Sequence, residues 1–216
     1  MNVLIVGTGQ LAWDLIQTAP DTATVRMVGR SELDITLPDA CRSVLTTFKP
    51  DVVINAAAYT AVDRAETERE AAFAVNEQGV ANLAAACEQV GARLFHVSTD
   101  FVFDGSANTP YLPSSAANPQ SVYGASKLAG EAVLRHRLPD AVIVRTGWLY
   151  SCNGGNFVKT MLRLMAEKPE LGVIVDQVGT PTWARGLAQV LWAGVIKAVP
   201  GGVYHRSDAG VASWYD

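Results

Sequence analysis

One stretch near the start limits the folds open to this chain more than any other. The apolar run Val3-Leu4-Ile5-Val6 passes straight into Gly7-Thr8-Gly9-Gln10-Leu11-Ala12. A short continuous apolar run bounded by glycine reads as a strand buried on both faces. The helical spacing of Leu11, Leu15 and Ile16 behind the turn reads as a helix. A strand, a glycine turn and a helix in succession open a parallel sheet with helices on its faces.

The rest of the chain repeats that alternation. Strands are expected over 3–6, 24–28, 52–54, 93–97 and 141–145, and helices over 11–18, 39–48 and 120–137. The Ala-rich segment 62–89 reads as two helices in succession. Thr60-Ala61-Val62-Asp63 and Thr67-Glu68-Arg69-Glu70 have the form of capping boxes, and Gly91 supplies the stop. Residues 104–119, rich in Gly, Ser, Asn and Pro, read as a long loop of the kind that often belongs to a binding site. Ser213-Trp214-Tyr215-Asp216 has the form of a helix-opening capping box with no helix body behind it. The expected architecture is α/β, a Rossmann-like doubly wound parallel sheet with a small, truncated C-terminal substrate domain. Residues 1–150 would bind the dinucleotide, with 177–199 returning to that domain. Residues 151–176 and 200–216 would form a partial substrate-binding region.

Composition removes several functions. With 216 residues, 49% of them hydrophobic, the chain can bury a sizeable core, and it holds no apolar run of membrane-spanning length. The first residues lack a basic leader with a cleavage site, which points to a cytoplasmic protein. The net charge of −4 argues against a nucleic-acid partner. Three cysteines at 41, 87 and 152 form no metal motif and read as free thiols. His96, inside the apolar run Leu94-Phe95-His96-Val97, reads as a strand residue rather than a ligand. The acidic residues Asp63, Glu66, Glu68 and Glu70 read as a solvated face near helix N-termini, with no metal site assigned.

The first turn has the G-x-G-x-x-A form that lets backbone approach a pyrophosphate at a helix N-terminus. Gly7, Gly9, Gln10 and Leu11 are therefore candidates for cofactor binding. Where NAD-binding sites carry an acid after the second strand, this chain has Val28-Gly29-Arg30-Ser31. Arg30 can hold a 2′-phosphate, which favours NADPH and leaves NADH open. Asp34 and Ile35 form an acid–apolar pair able to flank an adenine, with capping of the next helix as the alternative role for Asp34. Ala56, Ala57 and Ala58 follow the third strand and leave room for a cofactor against the backbone.

The chemistry is carried by Tyr123-Gly124-Ala125-Ser126-Lys127. Positions i and i+4 share a helix face, and an ammonium beside a phenol favours the phenolate and lowers its pKa from about 10. Tyr123 would then exchange a proton with a carbonyl or alcohol, and Lys127 would also hold the cofactor ribose. Thr99 ends the fourth strand, at the sheet edge where ligands sit, and can donate to the same carbonyl oxygen.

These stretches, with Ser98-Thr99-Asp100-Phe101-Val102-Phe103, Arg145-Thr146-Gly147-Trp148-Leu149-Tyr150 and residues 156–163 and 176–181, resemble the dTDP-4-dehydrorhamnose reductases of the extended short-chain dehydrogenase superfamily. The resemblance covers nearly the whole chain. It implies NADPH-dependent reduction of dTDP-4-dehydro-L-rhamnose at C4, a nucleotide sugar as partner, and Tyr123, Lys127 and Thr99 as the catalytic group. It implies substrate contacts from Thr60, Val62, Thr99, Asp100 and Trp148, and cofactor contacts from Gln10, Leu11, Asp34, Ile35 and Ala56 to Ala58. Some members use Mg²⁺ at a dimer contact; no ligands for it are identified in this sequence, and a homodimer stays open. Two departures stand out. The family's usual turn is G-x-x-G-x-x-G, whereas here it is shorter and ends in Ala12, and Phe101 replaces a common Tyr. An epimerase of the same superfamily, or a non-catalytic subunit like the regulatory subunit of methionine adenosyltransferase, are the competing readings.

Overall fold

The computed structural model describes residues 1–216. The chain runs through β1 (Asn2–Val6), α1 (Gln10–Gln17), β2 (Thr24–Val28), α2 (Pro38–Phe48), β3 (Val52–Asn55), α3 (Val62–Ala65), α4 (Arg69–Phe73), a π-helical turn (Ala74–Gln78) and α5 (Gly79–Val90). It continues with β4 (Arg93–Thr99), a 3₁₀ turn (Asp100–Val102), α6 (Val122–Arg137), β5 (Val142–Thr146), β6 (Leu149–Tyr150) and α7 (Phe157–Glu167). It closes with β7 (Val178–Gly179), β8 (Thr182–Trp183), α8 (Ala184–Ile196), β9 (Gly202–His205) and β10 (Ala212–Ser213).

The central sheet has the order β2-β1-β3-β4-β5-β9, parallel throughout. The period of two along each strand divides its side chains between two cores. Leu4, Val6, Val53, Leu94 and Ile143 face α2, α5 and α6, while Val3, Ile5, Ile54, Phe95 and Val144 face α1 and α8. Both faces being dry explains why β1 and β3 read as continuous apolar runs. The strand order reverses between β1 and β3, which places a crevice beyond the C-terminal ends of those strands.

Three features differ from the sequence expectations. Gly202–His205 pairs with β5 as a sixth strand of the central sheet, so residues 200–216 are not all outside it. Segment 62–89 is broken by the π turn, and neither expected capping box forms: Ala61 and Glu68 occupy the N-cap positions without side-chain bonds. The break has a physical cause. Buried Asn76 accepts from the Tyr59 amide at 2.9 Å and donates to the Tyr59 carbonyl and to Ser126 Oγ at 3.0 and 2.9 Å. Gly130 lets α6 lie directly on the Asn76 carbonyl, a space that a side chain would fill. By contrast, Ser213 and Asp216 do make reciprocal capping bonds: the Ser213 amide donates to Asp216 Oδ2 at 2.7 Å and the Asp216 amide to Ser213 Oγ at 3.3 Å.

Candidate active site

All the residues singled out from the sequence for binding or chemistry line one cleft of about 970 Å³ at the C-terminal edge of the sheet. Its floor is the first turn. Gly7 has φ +114°, a conformation that favours glycine, and a Cβ there would press on the Ala57 amide at 3.0 Å. Nothing lies within 4 Å of where a Gly9 side chain would be, so the N-terminus of α1 opens freely into the cleft. That combination suits a pyrophosphate held by backbone amides. Ala12, the last residue of the motif, is fully buried in the core between β1 and α8.

The adenosine end is arranged differently from expectation. Asp34 does not cap α2, whose N-cap is Leu37. Asp34 Oδ1 accepts from the Thr36 amide and hydroxyl at 3.0 and 2.7 Å, and Oδ2 accepts from Arg30 Nε at 3.0 Å. The Thr36 bonds, and then the Arg30 charge, hold this carboxyl below the usual range. The Arg30 side chain is 82% exposed and leaves its terminal nitrogens available. Ile35 belongs to the buried core, where its side chain packs on Gly79; only its edge reaches the cleft. It is thus first a core residue and only second a candidate ring contact.

At the other end, Ser121 caps α6 by accepting from the Gly124 amide at 3.1 Å, and Glu66 accepts from the Val122 amide at 2.8 Å. The helix so fixed brings Tyr123 and Lys127 to the end of β4. Lys127 is fully buried, and its Nζ donates to the Val97 carbonyl at 2.7 Å. Burial lowers its pKa to about 8, with Glu131 acting in the opposite sense. Tyr123 stands edge-on to Phe101, ring centroids 5.6 Å apart. Burial raises its phenol to about 12, while the Thr99 hydroxyl pulls it down and the Asp100 charge pushes it further up. This corrects the expectation that Lys127 lowers Tyr123: the amine donates to the Val97 carbonyl, and burial dominates at the phenol. Thr99 caps the 3₁₀ turn, accepting from the Phe101 amide at 3.2 Å and donating to Asp100 Oδ1 at 3.1 Å. Its hydroxyl proton must turn from Asp100 to serve a carbonyl. Asp100 packs on Gly147, and burial raises its pKa.

The acidic residues of segment 62–70 do not gather. Glu66 caps α6, Glu68 accepts from Tyr59 Oη at 2.7 Å and pairs with Arg64, and no three His, Cys, Asp or Glu side chains converge anywhere in the structure.

Trp148, expected beside the substrate, forms the far wall with partners that no local sequence pattern places next to it. Trp148 has φ +51°, costly for a residue with a side chain, and stacks on Trp214 with centroids 3.7 Å apart. Trp214 Nε1 donates to Gln177 at 3.1 Å, and Phe157 packs on the same indole at 4.4 Å. The capping-box pattern at 213–216 was the one signal that this segment is ordered.

The pattern of the RmlD substrate binding domain matches residues 1–216. The chain belongs to that family, the dTDP-4-dehydrorhamnose reductases. It is 41% identical over its whole length to the dTDP-4-dehydrorhamnose reductase of Burkholderia thailandensis and 40% identical to that of Escherichia coli K12, spanning 75% of each. Among solved structures, a dTDP-4-dehydrorhamnose reductase from Clostridium acetobutylicum superposes with a TM-score of 0.96 at 42% identity, covering 100% of this chain and 77% of the other. The enzyme from Bacillus anthracis, solved in complex with NADP, gives a TM-score of 0.95 at 39% identity, covering 99% and 76%. This reductase fold takes a nicotinamide cofactor in that relative. No helix of the chain is long and apolar enough to cross a membrane.

Proposed function

We propose that this chain reduces the C4 keto group of dTDP-4-dehydro-L-rhamnose to dTDP-L-rhamnose with NADPH. One observation carries the reading. Tyr123, Lys127 and Thr99 line the same cleft as the open glycine turn. A nucleotide-sugar substrate would lie between that group and the Trp148 wall, with Thr60, Val62 and Asp100 along its path.

When bound, the nicotinamide supplies the hydride that reduces the carbonyl carbon. Tyr123, protonated at neutral pH, gives its proton to the alkoxide oxygen that results. Thr99 donates to that oxygen as negative charge builds on it. Lys127, with a pKa of about 8, is mostly charged at neutral pH and stabilises the phenolate left behind. Gly7, Gly9, Gln10 and Leu11 would hold the pyrophosphate, and Ala56 to Ala58 would leave room for the ribose and nicotinamide against the backbone. Arg30, presented by Asp34, would receive the 2′-phosphate and select NADPH over NADH.

The decisive assay follows nicotinamide absorbance with the dTDP keto-sugar as acceptor. Turnover is expected with NADPH, and Tyr123→Phe is expected to cut kcat by about 10³-fold without loss of folding. Absence of turnover, or a Tyr123→Phe chain as active as the parent, would overturn the assignment. Arg30→Ala is expected to weaken NADPH about tenfold and leave NADH binding unchanged, as the loss of a single phosphate contact predicts.

A further inference from the structure

His96 is completely buried in the middle of the sheet, directly behind Lys127. It sits opposite Asn55 in the β3–β4 register. Its two ring nitrogens have different neighbours: Asn55 Nδ2 lies 3.0 Å from Nδ1, and Lys127 Nζ lies 3.3 Å from Nε2. The Asn55 amide cannot be turned over, because its Oδ1 accepts from the Ala57 amide at 3.1 Å. A flipped amide would set two donors against each other there. Asn55 therefore donates to Nδ1, and a neutral ring must carry its proton on Nε2. Burial, with the Lys127 charge beside it, keeps the ring neutral by holding its pKa well below the usual value.

That tautomer has a consequence for Lys127. An N–H on Nε2 can bond only to an amine with a free lone pair, and a protonated lysine has none. The neutral amine satisfies His96, and the charged amine leaves a buried N–H without an acceptor. The charged and titratable groups around Lys127 are His96 from β4, Asp100 from the 3₁₀ turn that follows it, Tyr123 and Glu131 from α6, and Arg145 from β5, which is paired with Glu131. Among these, only His96 presents Lys127 with a donor whose direction is fixed by a third residue.

We propose that His96 is a positioning residue that presents a fixed N–H donor to Lys127 and so sets the pH at which this amine gives up its charge. Lys127 donates to the Val97 carbonyl and faces the His96 N–H, which accepts nothing from it. The proposal rests on Lys127 working beside Tyr123, as argued above. It goes further in assigning the upper pH limit of that pair to the sequence Asn55–His96–Lys127.

Two measurements on the ligand-free full chain test it, and neither needs turnover, so a failed reductase reading would be told apart from a failure here. In the unaltered chain labelled with [¹⁵N]histidine, two-bond imidazole correlations are expected to show His96 neutral, with its proton on Nε2, across the neutral pH range. A proton on Nδ1, or a charged ring, overturns the proposal. In His96→Gln, the side-chain carbonyl can turn toward the amine and accept from it. The Lys127 midpoint, read from its ¹³Cε shift, is then expected to rise by about one pH unit. An unchanged or lowered midpoint in a folded His96→Gln overturns it. If that variant does not fold, the tautomer measured on the parent chain decides alone.

Discussion

Helices α7 and α8 follow one another in the chain and both carry apolar stripes, yet they are held in opposite ways. In α8, Ala184, Leu187, Ala188, Leu191, Trp192 and Val195 are buried, and Trp192 Nε1 donates to the Leu15 carbonyl at 2.9 Å. In α7 no residue is buried, and Leu162 and Met165 stand 65% and 64% exposed. What fixes α7 sits at one end. Asn156 accepts from the Lys159 amide at 3.1 Å and donates to the Ser151 carbonyl at 2.7 Å, and Phe157 meets Trp214. The sheet half of the cleft is thus set by a close-packed core, whereas the wall contributed by 151–181 is held by a few local bonds. Regions with few buried apolar contacts open at low free energy, so the floor of the site is preformed and its wall is the part that adjusts.

The sharpest test of that contrast lies in the sheet half. Glu131 and Arg145 form a bidentate pair, with bonds of 2.9 and 2.7 Å and side chains 1% and 5% exposed, and Ser98 Oγ donates to the same carboxylate. Arg145 also lies over the Phe103 ring, at the base of the loop that joins β4 to α6. Glu131→Ala leaves a buried guanidinium without its partner and is expected to cost about 3–5 kcal/mol in denaturant unfolding. A loss below about 1 kcal/mol would mean that this half is no better fixed than α7.

Lys127 gives the next largest effect, with the opposite sign. The folded chain releases this proton at about pH 8, whereas an unfolded lysine keeps it to about 10.4. Between those values the unfolded state binds more protons, so stability rises with pH there, and below pH 8 the full penalty applies. Lys127→Met is expected to be inactive yet about 1–3 kcal/mol more stable than the parent at neutral pH, with no rise in stability over that window. A variant less stable than the parent would show that the Val97 bond outweighs the burial cost. Trp192→Phe, which removes the bond to Leu15 while keeping an aromatic ring, is expected to cost about 1 kcal/mol by thermal unfolding.

The same contrast explains what could be read from the sequence. β1 and β3 were legible because both faces are dry, so each appears as an unbroken apolar run. Tyr123 and Lys127 were legible because a four-residue spacing fixes a shared helix face. That spacing does not reveal what lies opposite: the partners of Lys127 come from β4, and burial, not the amine, dominates the pKa of Tyr123. Ile35 lines the cleft, but its packing on Gly79 in the core could not be read from the sequence. β9 was missed because Gly201-Gly202-Val203-Tyr204 carries two glycines and too few apolar residues to look like a strand; only its register with β5 makes it one. The stacking of Trp148 on Trp214 joins residues far apart in the chain, with no local pattern to announce it.

The smallest expected effect is the most discriminating for the wall. Leu162 lies on α7 with most of its surface in water, so replacing it removes little burial. At about 25 cal/mol per Å² only the apolar area lost to water on folding counts, and for Leu162 that area is small. Leu162→Ser is therefore expected to change unfolding stability by no more than about 0.5 kcal/mol. By contrast, Leu187→Ser in α8 would place an unpaired hydroxyl in a fully buried site. Hydrogen exchange should repeat the pattern, with α7 amides exchanging well before those of α8 under native conditions. If α7 amides were instead protected as long as those of α8, or Leu162→Ser were as costly as a core substitution, then α7 would be fixed by more than its N-cap and Trp214, and the wall would be as rigid as the floor.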